Sequence, residues 1–159
     1  MSLFEKSTER LFSIAFSSTG SLRKAVAFGP DVINLHWVNS GFLSVRSIGQ
    51  IRLPVVWTLH DMWPLTGGCH YSGSCTRYES GCGQCPQLRH RSNHDLSHWG
   101  LRRKRRAWST LNLTLVAPSR WLATCAQRSQ LFQDRKVVVI PNGLDTQRFR
   151  PLDRSFARH

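Results

Sequence analysis

Four short runs of apolar and β-branched residues punctuate the chain: DVINLHWV (31–38), PVVWTLHD (54–61), LTLVAPS (113–119) and KVVVIPNG (136–143). None alternates strictly between apolar and polar positions, and each ends in turn-forming residues, which is the pattern of buried sheet strands. Between them the apolar positions recur at helical spacing. In GFLSVRSIGQIRL (41–53) these are Phe42, Val45, Ile48 and Leu53. In SRWLATCAQRSQLF (119–132) Ser119 suits an N-cap, and Trp121, Leu122, Cys125 and Phe132 form an apolar face on which Cys125 reads as core. A longer helix is predicted from about residue 95 to 111, with Leu96, Trp99, Ala107 and Leu111 on one stripe and Arg102, Arg105 and Ser109 opposite. Residues 1–30 resist assignment, although Leu11, Phe12, Ile14 and Phe16 fit part of a helix.

Strands alternating with helices predict an α/β fold, a Rossmann-like parallel sheet flanked by helices. In such sheets ligands bind at the carboxyl ends of the strands. Polar residues gather there: His36 and Asn39 after the first strand, His60 and Asp61 after the second, Ser119 and Arg120 after the third, and Asn142 after the fourth.

Composition narrows the class. With 159 residues, 40% hydrophobic and 19% charged, the chain has the makings of one folded domain rather than a disordered segment. Lys and Arg number 22 against 9 Asp and Glu, a net charge of +13 that favours anionic partners. No apolar run is long enough to span a bilayer. The stretch LFSIAFSS follows Glu5, Lys6, Glu9 and Arg10 and makes a poor signal peptide, so a cytoplasmic location is expected, with the cysteines reduced or metal-bound.

Four clusters could carry chemistry. His60 and Asp61 pair an imidazole able to orient or deprotonate a hydroxyl with a carboxylate able to fix its tautomer; the alternative is a hydrogen-bonded histidine capping a strand. Cys69, Cys75, Cys82 and Cys85 stand in a glycine-rich loop whose final CxxC suits a shared tetrahedral zinc ion. Such a zinc would be structural, since four thiolates leave no open position; disulfides or unligated thiols are the alternatives. His90, His94 and His98 fall four residues apart, as ligands or as solvent-exposed side chains. The run LRRKRRAW (101–108) fits a solvated helix face, a face for an anionic membrane or acceptor, or a phosphate- and base-binding surface. On its spacing Arg103 turns toward the apolar stripe.

The segments DVINLHWVNSGFLS, PVVWTLHDMWPLTGGCHYSGSC, CGQCPQL, LTLVAPSRWLATCAQRS and VVVIPNGLDTQRFRP, taken in order, resemble the N-terminal, acceptor-side domain of GT-B glycosyltransferases of family 4 (group 1). The resemblance is to bacterial enzymes of exopolysaccharide, colanic-acid-like biosynthesis. It implies retaining transfer of a hexose from a nucleotide sugar to a glycan or lipid-linked saccharide. His60 and Asp61 would be catalytic, His36, Trp37, Asn39 and Trp63 the acceptor wall, and Ser119 and Arg120 its rim. The implied organisation is an acceptor domain over 31–143 with a Cys-rich loop at 66–90, then the start of an interdomain linker at 144–159. The nucleotide-sugar donor would be held mainly by a second domain, so the chain reads as one half of a GT-B fold, inactive or nearly so without a donor-domain chain. Peripheral contact with an anionic membrane face fits the charge. The rivals are a zinc-stabilised basic nucleic-acid-binding module and a non-catalytic remnant of a truncated gene.

Overall fold

The computed structural model describes residues 11–155 and 158. Four parallel strands, β1 (Ile33–Leu35), β2 (Val55–Thr58), β3 (Leu113–Ala117) and β4 (Lys136–Val139), lie side by side in chain order. Ile33 pairs with Val55, Trp57 with Leu115, and Leu115 with Val137. The helices are α1 (Ser21–Ala27), α2 (Val45–Gly49), α3 (Leu96–Trp108) and α4 (Arg120–Arg128); α2, α3 and α4 form the successive crossovers. The fold is the expected α/β, Rossmann-like parallel sheet.

Local chemistry explains the helix starts. Ser44 and Ser47 close a capping box on α2, Asp95 accepts from the Ser97 and His98 N–H groups to open α3, and Ser119 accepts from Leu122 N–H to open α4. Ile33, Leu35, Val55, Trp57, Leu113, Leu115 and Ala117 are buried along the first three strands. β4 departs from the expectation of a buried strand: it is one of the two edge strands, with Lys136 and Val139 exposed.

The predicted stripe on α3 is corrected. Its buried positions are Ser97, Leu101, Lys104 and Trp108, while Trp99 is 55% exposed. Lys104 takes a core position because its Nζ donates to the Trp63 and Thr66 carbonyls and sits 3.6 Å above the Trp63 ring. Trp57, Trp63, Trp108 and Phe132 then pack ring against ring, Trp57 to Trp108 at 5.2 Å. Each indole N–H in this cluster is satisfied by a carbonyl: Trp57 on His36, Trp63 on Ser13, Trp108 on Val45. Where the loop after β2 crosses α3, two backbones nearly touch. A Cβ on Gly100 would stand 1.9 Å from the Gly67 carbonyl oxygen, so only glycine fits.

The N-terminal segment also differs from expectation. Phe12 bridges Cys69 as an antiparallel strand partner and Ser13 N–H donates to the Gly68 carbonyl; Leu11 to Phe16 form no helix. The helix lies further on, at α1, and buries none of its residues. Trp121 and Phe42 are exposed rather than core, whereas Leu122, Cys125, Phe132, Val45 and Ile48 are buried as expected.

Candidate functional site

At the carboxyl ends of β1 and β2 the chain leaves the sheet through His36-Trp37 and His60-Asp61. The parallel register sets those two dipeptides side by side. His36 Nδ1 and His60 Nε2 are 2.8 Å apart, and the rings stack at 5.1 Å. One nitrogen of each ring is therefore committed to the other ring, which leaves His60 Nδ1 to meet a ligand. Both histidines are exposed.

Asp61 does not orient His60. Its carboxylate accepts from His70 Nδ1 at 2.5 Å, from Trp37 Nε1 at 3.0 Å and from the Trp63 N–H at 2.8 Å. His70 is buried, and its Nε2 lies 2.9 Å from Ser13 Oγ, so a neutral ring accepts there from the hydroxyl. Burial alone would raise the Asp61 carboxyl; the hydrogen bonds from His70, Trp63 and Trp37 outweigh it and hold the carboxyl below its ordinary value. Asp61 is a buried anchor that fixes the loop after β2 and the Trp37 indole.

A cavity of about 310 Å³ opens beside this pair, lined by Leu11, Trp37, His60, Asp61, His70, Tyr71 and Gln87. A narrow crevice next to it is lined by His36, Asn39 and Thr58 among others. Trp37 and Tyr71 are 46% and 60% exposed. Two buried amide oxygens bordering these spaces, Asn39 Oδ1 and Gln87 Oε1, have no hydrogen-bond partner among the described residues. A bound ligand with hydroxyl donors would satisfy them.

The remaining candidates fall elsewhere. Trp63 is 1% exposed and packs in the core, where it reaches only the floor of the narrow crevice and does not line the 310 Å³ cavity. Ser119 and Arg120 are exposed at the start of α4, beyond β3, and do not line the 310 Å³ cavity. Of the three spaced histidines only His98 lies within α3; His94 precedes the helix and meets His98 edge-on at 4.9 Å. Arg103 reaches back to the Ile14 and Ala15 carbonyls and stacks on Phe16 at 4.0 Å. With Arg46, Arg102, Arg106, Ile14, Phe16 and Trp99 it borders a groove of about 930 Å³. His70, Tyr71 and Gln87 went unselected in the sequence because they sit in the cysteine-rich loop, where no periodicity marks a direction.

Glycosyltransferase Family 4 is the family model that matches, over residues 3–148. The chain belongs to glycosyltransferase family 4. The family assignment agrees with the parallel sheet and with the ordered segments that suggested it. The chain is also 28% identical over 134 residues to a protein of Escherichia coli K12 named "Putative colanic acid biosynthesis glycosyl transferase WcaC". That alignment takes in 74% of this chain and 32% of the relative, so the chain spans about a third of that protein's length. No solved structure gives a significant match. Among the described residues no helix is long and apolar enough to cross a membrane.

Proposed function

We propose that these residues form the acceptor-binding side of a family 4 glycosyltransferase that moves a hexose from a nucleotide sugar to a hydroxyl of a glycan or lipid-linked saccharide. The observation that carries the reading is the His36–His60 pair at the sheet's carboxyl edge, beside a cavity bordered by Gln87 and a crevice bordered by Asn39, whose buried amide oxygens have no partner among the described residues. Asn39 and Gln87 would accept from sugar hydroxyls, while Trp37 and Tyr71 offer aromatic faces to the apolar face of a sugar ring. His60 Nδ1 would hold the attacking hydroxyl. As that oxygen bonds to the anomeric carbon, the bond to the nucleotide phosphate breaks, and in a retaining reaction the hydroxyl proton passes to the departing phosphate. The donor is assigned to sequence outside these residues, in keeping with the 32% coverage of the relative. The relative's name supports cell-surface polysaccharide assembly as the setting.

The arginine-lined groove supports a membrane-linked acceptor. Arg46, Arg102, Arg103 and Arg106 surround apolar Ile14, Phe16 and Trp99, a combination suited to anionic headgroups over an acyl boundary.

The reading is tested by supplying a donor-binding half in trans and following transfer of labelled hexose. His60→Ala should lower turnover about 100-fold, the loss expected when a reacting group is mispositioned. Unchanged turnover returns His60 to a strand-capping role.

A further inference from the structure

The four loop cysteines, Cys69, Cys75, Cys82 and Cys85, are free thiols around a cavity of about 20 Å³, and among the described residues no three His, Cys, Asp or Glu side chains are placed to hold a metal ion. The paired imidazoles at the sheet's edge carry a different constraint. A neutral imidazole has one N–H, which donates, and one bare nitrogen, which accepts. The bond between His36 Nδ1 and His60 Nε2 uses one of each. If His36 Nδ1 holds the hydrogen, then His36 Nε2 is bare and His60 Nδ1 is an N–H. If His60 Nε2 holds it, then His60 Nδ1 is bare and His36 Nε2 is the N–H. The two outward nitrogens are therefore always of opposite kind, and the state of one ring dictates the state of the other.

The surroundings assign a role to each ring. His60 lines the 310 Å³ cavity, whereas His36 lines only the crevice next to it. Among the described residues no carboxylate pairs with either ring, because Asp61 is taken up by His70, Trp37 and the Trp63 N–H. Both rings are fixed where they stand. The buried Trp57 indole donates to the His36 carbonyl, the Tyr71 hydroxyl donates to the His60 carbonyl, and the rings stack at an angle of 29°. His60 Nδ1 can accept from a hydroxyl only in the state whose Nε2–H donates to His36 Nδ1. The group that selects this state is the neighbouring imidazole, in the place where a base is oriented by a third side chain.

We propose that His36 is the positioning residue of this site: it accepts from His60 Nε2–H, holds His60 in the tautomer whose Nδ1 is bare, and so aims that nitrogen at a saccharide hydroxyl. Only the identity of the ligand rests on the acceptor-side reading; the pairing of the rings does not. A requirement on the ligand follows. With His60 Nδ1 bare, His36 Nε2 is an N–H, so a saccharide that donates a hydroxyl to His60 also meets an outward donor at His36. A ring or glycosidic oxygen beside that hydroxyl would accept from it. The pair neither gains nor loses a proton when the ligand binds.

Nitrogen NMR of the 159-residue chain with isotope-labelled histidine tests this at about pH 8, above the ordinary histidine range. In the native chain His60 Nδ1 should resonate as a bare nitrogen and His60 Nε2 as an N–H, well separated, the pattern of one held tautomer. His36→Phe keeps a stacking ring without an acceptor and should move the two His60 signals toward the averaged values of a free histidine. His36→Asn sets an amide oxygen near the place of Nδ1 and should restore the separation. These variants should fold, since the His36 side chain is exposed and its backbone carbonyl makes the bond to Trp57. A hydrogen on His60 Nδ1, averaged signals in the native chain, or signals unmoved by His36→Phe overturns the positioning role. No saccharide or donor enters these readings, so they stand or fall apart from the transfer reading. With a donor-binding half supplied in trans, His36→Phe should lower kcat roughly 10-fold with KM little changed, a smaller loss than in His60→Ala because the reacting ring remains. His36→Asn should recover most of it. Native turnover in His36→Phe where His60→Ala is impaired also overturns the role, whereas native turnover in His60→Ala overturns the transfer reading alone.

Discussion

Removing the Asp61 carboxylate should cost more than any other single change near the site. In Asp61→Ala three donors lose their acceptor: His70 Nδ1, Trp37 Nε1 and the Trp63 N–H. Trp37 is half-exposed and can turn to water, but the His70 ring and the Trp63 N–H are buried. Two buried donors left unsatisfied at about 1–3 kcal/mol each give a loss of roughly 2–6 kcal/mol. Asp61→Asn keeps the volume and one acceptor oxygen, so about half that loss is expected. The pH dependence has a definite sign. The folded carboxyl is held below its ordinary value, so its stabilisation is complete above about pH 4, the unfolded range, and fades as pH falls through the folded value. The difference between the native chain and Asp61→Asn should therefore be full at neutral pH and shrink in acid below about pH 4. Urea unfolding followed by tryptophan fluorescence measures both. A loss under 1 kcal/mol in Asp61→Ala, or a difference that stays constant into acid, would refute the reasoning.

Two further outcomes follow from the packing and the charge. Gly100→Ala should destabilise by about 2 kcal/mol or more in the same urea assay, because its Cβ would stand 1.9 Å from the Gly67 oxygen. Without that contact the exchange would stabilise the helix by about 1 kcal/mol, so the sign alone decides. Arg102→Gln combined with Arg106→Gln should weaken co-sedimentation with anionic vesicles by about 1 kcal/mol per charge at moderate salt, with no binding to neutral vesicles; equal binding by the double variant removes the groove from membrane contact.

Much of the fold could be read directly because its determinants are local. Apolar runs, the serine cap at Ser119 and the alternation of elements specify a parallel sheet without reference to distant contacts. β4 escaped because a buried and an edge strand share the pattern VVV, and only the neighbouring strand decides. The α3 face escaped for a different reason. Lys104 and Ser97 occupy core positions there, each hydrogen-bonded to a loop, so a polarity count points the helix the wrong way. The site was legible down to its strand ends and no further. His36 and His60 meet because adjacent parallel strands end together, which topology predicts. The choice of Asp61 for His70 over its neighbour His60 depends on how the loop after β2 folds back, and adjacency in sequence misleads. Trp63 illustrates the same limit: two residues past a strand-end aspartate it reads as a surface aromatic, yet a 3₁₀ turn over Trp63–Leu65 carries it into the tryptophan cluster.

The central claim is that the edge formed by His36, Trp37 and His60 receives a saccharide. Heteronuclear NMR of the chain, read at the imidazole and indole resonances, tests this most directly. Titration with oligosaccharide acceptors should shift the His36, His60 and Trp37 signals together, while a nucleotide sugar leaves them in place. Shifts at these residues with the nucleotide sugar and none with any saccharide would contradict the assignment.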